Sequence, residues 1–248
     1  MTTQTVSPID RPILPQPLTT GSSFRSEPFT DHCRVINDEG AHAVIGISPG
    51  NSYFTHQRVL DLTRWGLDHF DQVDLVYTDM HVAEMYAVSG YTEEDARRKA
   101  VKNLRGVRAK VTAAVEALDD GTGRLRGHAM SDLAENDDYL RIHTDIRDRL
   151  SFDADFSETC EALVSRFLSS RGEEPTADQK RVCLDYVCAE VPLFIDSPAI
   201  LGVPSSLNCY HQLLPMAELL YSRGSGLRAS RNQGHAIITP DTDGDTPR

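Results

Sequence analysis

Apolar and polar positions along the chain alternate between two periods, and the changes of period predict the elements. Ala43 to Ile47 is a short apolar run bounded by a Gly50–Asn51 turn, the pattern of a buried strand. Thr55 then caps a helix running to about Phe70, with Val59, Leu62, Trp65 and Gly66 on one side, which makes Trp65 a core residue. "VDLVYT" (Val73 to Thr78) is a second strand, followed by helical sequence around Val82 to Ala87. Thr92 to Asp95 is a T-x-x-D cap opening a long helix to about Leu118. "GRLRGHAM" reads as a third strand, and two or three helices fill residues 131 to 170. Thr176 with Gln179 forms a capping box for a helix that ends at Pro192. "SLNCYH" and "GHAIIT" are late strands separated by a short helix at about 215 to 222. Strands alternating with helices predict an α/β fold, a doubly wound and mainly parallel sheet with helices on both faces.

Outside this pattern, residues 1–30 hold five of the thirteen prolines and no periodicity, and read as a disordered arm. Residues 31–240 make one domain without repeats, and 241–248 a flexible tail. No run of eighteen apolar residues exists, and the first residues lack the charged-then-apolar pattern of a leader, so no membrane partner is expected. The five cysteines contain no C-x-x-C, which fits a reducing cytoplasm better than a disulfide framework or a zinc ribbon.

A net charge of −12 argues against DNA or other nucleic acid binding through the whole surface, yet the charge is unevenly distributed. Between Arg97 and Lys110 lie seven basic residues and no acidic one. At about 100° per residue, Arg97, Arg98, Lys102, Arg105 and Arg108 fall within an arc of about 140°. Ala100, Leu104, Val107 and Val111 occupy the opposite arc, toward a core. A solvated face is one reading of the stripe; a polyanion held through its phosphates is the other.

The turn after the first strand, "GISPGNSYF", contains G-x-S-x-G around Ser48, the hydrolase nucleophile-elbow pattern. That elbow uses the backbone N–H of the residue after the serine in its oxyanion hole, and here Pro49 has none. Ser48 also follows the first predicted strand, whereas an elbow normally follows several, and no feature selects His235 as a partner. A serine hydrolase, and a turn serine capping the next helix, stay open as alternatives.

"CLDYVCAEVPLFI" places Tyr186 and Glu190 at i and i+4, on one face of a helix that is apolar nearly all round. A carboxylate there must be paired, protonated or bound to a cation. An ammonium held by Glu190 beside the Tyr186 phenol fits; a structural hydrogen bond to another element is the plainer reading. His81 and Glu84, three apart, are read as structural rather than as metal ligands. Neither G-x-x-x-x-G-K-[ST] nor G-x-G-x-x-G occurs, and no cofactor and no metal are expected.

Together these residues resemble the cyclodipeptide synthases, in the subfamily with Asn after the serine turn. G-x-S-x-x-N stands as Gly46, Ser48 and Asn51; Y-x-x-x-E-x-P as Tyr186, Glu190 and Pro192; and the Tyr-His pair as Tyr210 and His211. The likeness runs from about His42 to Pro240. It implies a Rossmann-like domain similar to class I tyrosyl- and tryptophanyl-tRNA synthetase catalytic domains. It implies two aminoacyl-tRNA substrates, joined to a 2,5-diketopiperazine through aminoacyl- and dipeptidyl-enzyme intermediates on Ser48. The basic stripe then holds tRNA, Glu190 and Tyr186 the α-ammonium, and Tyr210 assists proton transfer in cyclisation. Asn51 and His211 orient the site, and Tyr139, in "NDDYL", matches a further active-site tyrosine. Each acyl group arrives activated, so no ATP site is required. No Ser–His–Asp arrangement is visible; the leaving ribose or Glu190 takes the serine proton. A monomer suffices, and a non-catalytic tRNA-binding domain is the remaining alternative.

Asn208, two residues before Tyr210 on a strand, faces the same way. Its amide can bond a phenol or an indole N–H, while Val44 and Gly46 leave room for a ring. With Leu193, these residues form the expected amino-acid pocket, for Tyr or Trp first and Leu or Phe as the alternative.

Overall fold

Six strands form one sheet in the order β1-β6-β5-β2-β3-β4: Phe24–Pro28 (β1), His42–Ile47 (β2), Gln72–Tyr77 (β3), Leu125–Ala129 (β4), Ser206–Tyr210 (β5) and Gln233–Pro240 (β6). The computed structural model describes residues 24–168 and 176–241. β2 to β6 are parallel, and β1 pairs antiparallel with β6 on the edge. The helices are Asp31–Glu39 (α1), His56–His69 (α2), Val82–Val88 (α3), Glu93–Leu118 (α4), Met130–Leu133 (α5), Asp137–Arg149 (α6), Ala154–Leu168 (α7), Ala177–Leu201 (α8) and Pro215–Ser222 (α9).

The expected layers are present. Ala43, Ile45 and Ile47 of β2 pack with Val59, Leu62 and Trp65 of α2 and Val107 and Val111 of α4. Val44 and Val76 turn the other way, onto Tyr139 and Ile142 of α6, Phe156 of α7 and Val191 and Leu193 of α8. Burial on both faces is why β2 reads as one continuous apolar run. The chain leaves β2 toward β3 on one side and later returns through β5 on the other. The switch point of the sheet therefore lies between the carboxyl ends of β2 and β5, where doubly wound folds place their ligands.

Two expectations need correction. Phe24–Pro28 of the arm predicted over residues 1–30 is instead β1. Only Phe24 is buried there, edge-on to Trp65, so polar residues hide the strand in the sequence. The remainder of the arm and the tail from residue 242 lie outside the described residues. The helix expected to stop at Pro192 continues as α8 to Leu201. Its break comes at Asp196 (φ −156°, ψ 62°), where other elements satisfy the freed groups. Gln233 Oε1 accepts from the Ser197 N–H at 2.7 Å, and the Ile195 carbonyl accepts from the Ser230 N–H at 2.7 Å.

Beneath the switch point, the strands carry a polar network around a buried carboxylate. Asp74 on β3, fully buried, accepts from Arg126 Nε and Nη2 at 2.7 and 2.6 Å and lies 3.1 Å from His42 Nε2 and 3.4 Å from His128 Nε2. His42 Nδ1 is 2.8 Å from Ser206 Oγ on β5. Burial alone raises the Asp74 pKa; the bonds from His128, His42 and Arg126 outweigh it and hold the carboxyl well below its ordinary value.

Candidate active site

Ser48 follows β2 directly, and its turn is shaped by Gly50. That residue has φ +74°, and a Cβ on it would lie 2.6 Å from Asn103 Nδ2 of α4 and 2.9 Å from Tyr86 Oη of α3. Only glycine fits both the conformation and the approach. The turn is thus clasped against two helices, and Asn103 also donates to Tyr86 Oη at 2.5 Å. Thr55, not Ser48, caps α2, accepting from the Arg58 N–H at 3.1 Å. The Ser48 hydroxyl instead meets Tyr210 Oη at 2.8 Å, across the switch point from the end of β5.

Tyr210 is fixed from several sides. Asn51, whose Oδ1 accepts from the Tyr53 N–H at 2.9 Å, sets its side chain close enough to act on the same phenol. His211 sets its ring edge-on to Tyr210, centroids 4.4 Å apart, and stacks on Tyr53 at 4.2 Å. His211 lies behind Tyr210 and does not line the cavities in front of it, so it supports the phenol rather than touching Ser48. Burial lowers its pKa, which keeps the imidazole neutral. Burial, helped by the Glu190 charge, raises the Tyr210 phenol against the bond from Ser48 and the nearby Asn51 amide.

Glu190 enters from α8. Its carboxylate accepts from Thr78 Oγ1 at 2.6 Å, and the Tyr186 phenol stands one turn earlier on the same face. Burial raises the Glu190 pKa, opposed by Thr78 and Tyr186, and raises Tyr186 well above the ordinary phenol value. The structural bond foreseen for this carboxylate is therefore present, and the residue also lines the cavities described next. Two cavities meet here. A smaller one of about 70 Å³ holds Ser48, Val44, Gly46, Leu193 and Asn208; a larger one of about 490 Å³ holds Asn51, Tyr86 and Tyr186. Glu190, Phe194, Tyr210 and Leu214 line both.

In the smaller cavity Asn208 is 4% exposed and donates to the Leu193 carbonyl at 3.4 Å. A Cβ on Gly46 would touch only the Tyr210 ring, at an ordinary 3.5 Å, so the protein's own packing does not require glycine there. Its missing side chain leaves space in the cavity. Tyr139 is the exception among the expected pocket residues. It is 2% exposed, lines neither cavity, and donates its hydroxyl to the Ala189 carbonyl at 2.8 Å. It braces α8 beside Glu190 instead of lining the pocket.

Arg97, Arg98, Lys102, Arg105 and Arg108 all stand exposed on α4. Arg97 pairs with Glu93, and Arg98 with Glu94 and Asp95, so acids in the helix's own first turn partly offset the stripe. Arg108 Nε donates to the Tyr77 phenol at 3.2 Å, whereas Lys102 and Arg105 make no ion pair among the described residues. Sequence reasoning missed Thr78, Tyr86, Phe194 and Leu214. Only Thr78 left a trace, as the polar residue closing an apolar strand.

A serine at the switch point, a phenol on its hydroxyl and a buried carboxylate shared by two cavities differ from a hydrolase triad. No histidine among the described residues bonds Ser48. The cyclodipeptide synthase family model matches residues 24–240. The chain belongs to the cyclodipeptide synthase family. It is 58% identical over 226 residues to the cyclo(L-tyrosyl-L-tyrosyl) synthase of Mycobacterium tuberculosis strain H37Rv, covering 90% of this chain and 78% of the relative. The cyclo(L-leucyl-L-phenylalanyl) synthase of Streptomyces noursei is 34% identical over 220 residues, 88% of this chain and 92% of the relative. Among solved structures, a Mycobacterium tuberculosis protein described as relating cyclodipeptide synthetases to type I tRNA synthetases superposes with a TM-score of 0.82 at 60% identity. The match covers 90% of this chain and 96% of that one. A cyclo(L-leucyl-L-phenylalanyl) synthase structure matches with a TM-score of 0.81 at 34% identity, over 88% of this chain and 99% of that one. Family membership sets aside both the esterase and the non-catalytic alternatives. Among the described residues no helix is long and apolar enough to cross a membrane.

Proposed function

We propose that this chain takes two aminoacyl-tRNAs in turn and releases a cyclic dipeptide, with a tyrosyl group loaded first. The observation that carries the reading is the wall shared by the two cavities: Glu190 and Tyr210 face both, with Ser48 at the join. Ser48 Oγ attacks the ester carbonyl of the first aminoacyl-tRNA; the bond to the ribose oxygen breaks, and that oxygen leaves with the serine proton. Glu190 and Tyr186 hold the α-ammonium. A carboxylate whose pKa burial has raised is suited to taking a proton from it. The freed amine of the aminoacyl-enzyme attacks the ester of the second aminoacyl-tRNA, forming a peptide bond and releasing the second tRNA. The new terminal amine then attacks the Ser48 ester. The C–N bond closes the ring, the C–O bond breaks, and Tyr210, 2.8 Å from Ser48 Oγ, returns a proton to the serine.

The buried amide of Asn208 supports a tyrosyl group in the smaller cavity, as does the tyrosyl product named for the 58%-identical relative. The exposed Lys102 and Arg105 support tRNA contact along α4. We place the reaction in the cytoplasm and assign it to a monomer, since one chain supplies every residue named. Expression in a bacterial host with mass spectrometry of the medium tests this. Cyclo-dityrosine from the wild type and none from Ser48→Ala is the expected result, and ester hydrolysis without tRNA would overturn it.

A further inference from the structure

The last registered pair of β2 and β3 is Ile47 with Tyr77, so Ser48 and Thr78 leave adjacent strands side by side. Neighbouring strands are about 4.8 Å apart, a spacing fixed by the backbone ladder. Glu190 comes from a different layer: α8 packs on the sheet mostly through apolar side chains, and its polar ties there, Asn208 to the Leu193 carbonyl and Gln233 to the Ser197 N–H, hold its backbone and not the Glu190 side chain. Thr78 Oγ1 bridges the layers. It is 6% exposed, faces the smaller cavity, and donates to Glu190 Oε1 at 2.6 Å.

We infer that Thr78 is a positioning residue of the synthase reaction: its hydroxyl ties the ammonium-holding carboxylate of Glu190 to the strand beside the nucleophile. The distance from the ammonium to Ser48 is then set by the β2–β3 register. Thr78 engages Oε1 from the sheet, a tie that Tyr186, one turn away on the same helix, cannot replace. This inference rests on the proposed use of aminoacyl-tRNA.

The test is single-turnover acylation of Ser48 by tyrosyl-tRNA, read by intact-protein mass. Thr78→Val keeps the shape and removes the hydroxyl. Its plateau rate should fall about ten- to hundredfold, the effect of losing a hydrogen bond to a charged group. The tyrosyl-tRNA concentration at half-saturation should change much less, since α4 still binds the tRNA. Thr78→Ser should recover most of the rate. A purely packing role predicts the reverse order, with valine active and serine impaired, and that order overturns the inference. Should the valine variant not fold, Thr78→Ala supplies a second chain without the hydroxyl, and wild-type rates in it are equally decisive. A wild type that forms no acyl-enzyme sinks the proposed function itself, and this inference with it.

Discussion

At the scale of single residues, the site depends on hydroxyls and amides whose partners sit on other elements. Tyr210→Phe removes only the phenol that meets Ser48 at 2.8 Å. Product formation should fall by about 10²- to 10⁴-fold, the usual size of a lost proton-transfer group. Intact mass should then show the acylated enzyme accumulating, because in the proposed reaction Tyr210 serves ring closure and not loading. Asn208→Leu should reduce the preference for tyrosyl over phenylalanyl groups by about ten- to hundredfold, since the donor or acceptor for the ligand hydroxyl is gone. Competing the two charged tRNAs and weighing the products checks it. Ser48, Glu190 and Tyr210 were legible because each stands in a spaced pattern that needs no knowledge of the fold. Thr78 was not, because its meaning lies in a contact to a residue 112 positions away. Tyr139 misled for the opposite reason: its type matched, but its hydroxyl is spent on the Ala189 carbonyl.

At the scale of elements, α4 has two duties. Its outer side carries the cationic stripe, and its inner side presses Asn103 against the serine turn and donates Lys110 Nζ to the Phe54 carbonyl. The double variant Lys102→Ala, Arg105→Ala alters only exposed charges that make no ion pair among the described residues. It should weaken tRNA binding and flatten the slope of log affinity against log salt by roughly one to two. A filter-binding titration over several salt concentrations measures both. Arg97→Ala should do less, because Glu93 already offsets that charge. Helix periodicity made α2 and α4 readable to within a residue or two. α8 was harder, because Pro192 is a strong local stop signal. Its break instead falls at Asp196, where Gln233 and Ser230 wait to receive the chain, and neither partner is near in sequence.

At the scale of the molecule, the Asp74 network joins β2, β3, β4 and β5 beneath the cavities. Its folded pKa lies below the ordinary 3.8. The stability it contributes is therefore fully present above about pH 4–5 and lost as pH falls through and below that value. Urea unfolding from pH 7 down to pH 3 should show that loss. Asp74→Asn should be less stable at pH 7 by about 3–5 kcal/mol, the usual result of breaking a buried charge pair, and should depend less on pH over the same range. A variant as stable as the wild type would mean that the network contributes nothing net. The doubly wound layers followed from strand and helix alternation. β1 did not, since an edge strand with one buried residue has too little apolar signal to distinguish it from an arm.

The bond between Ser48 and Tyr210 also has a consequence in time. The two residues are 162 positions apart, and their strands are neighbours only because the chain returns to the other side of β2 at the switch point. At ribosomal rates, about ten to thirty seconds separate the synthesis of one from the other. Throughout that interval the emerging chain carries the serine without its phenol or a complete cavity, and for most of it without its carboxylate. If Ser48 is acylated as proposed, a serine made beside a supply of activated amino acids is thereby kept idle until nearly the whole domain has folded.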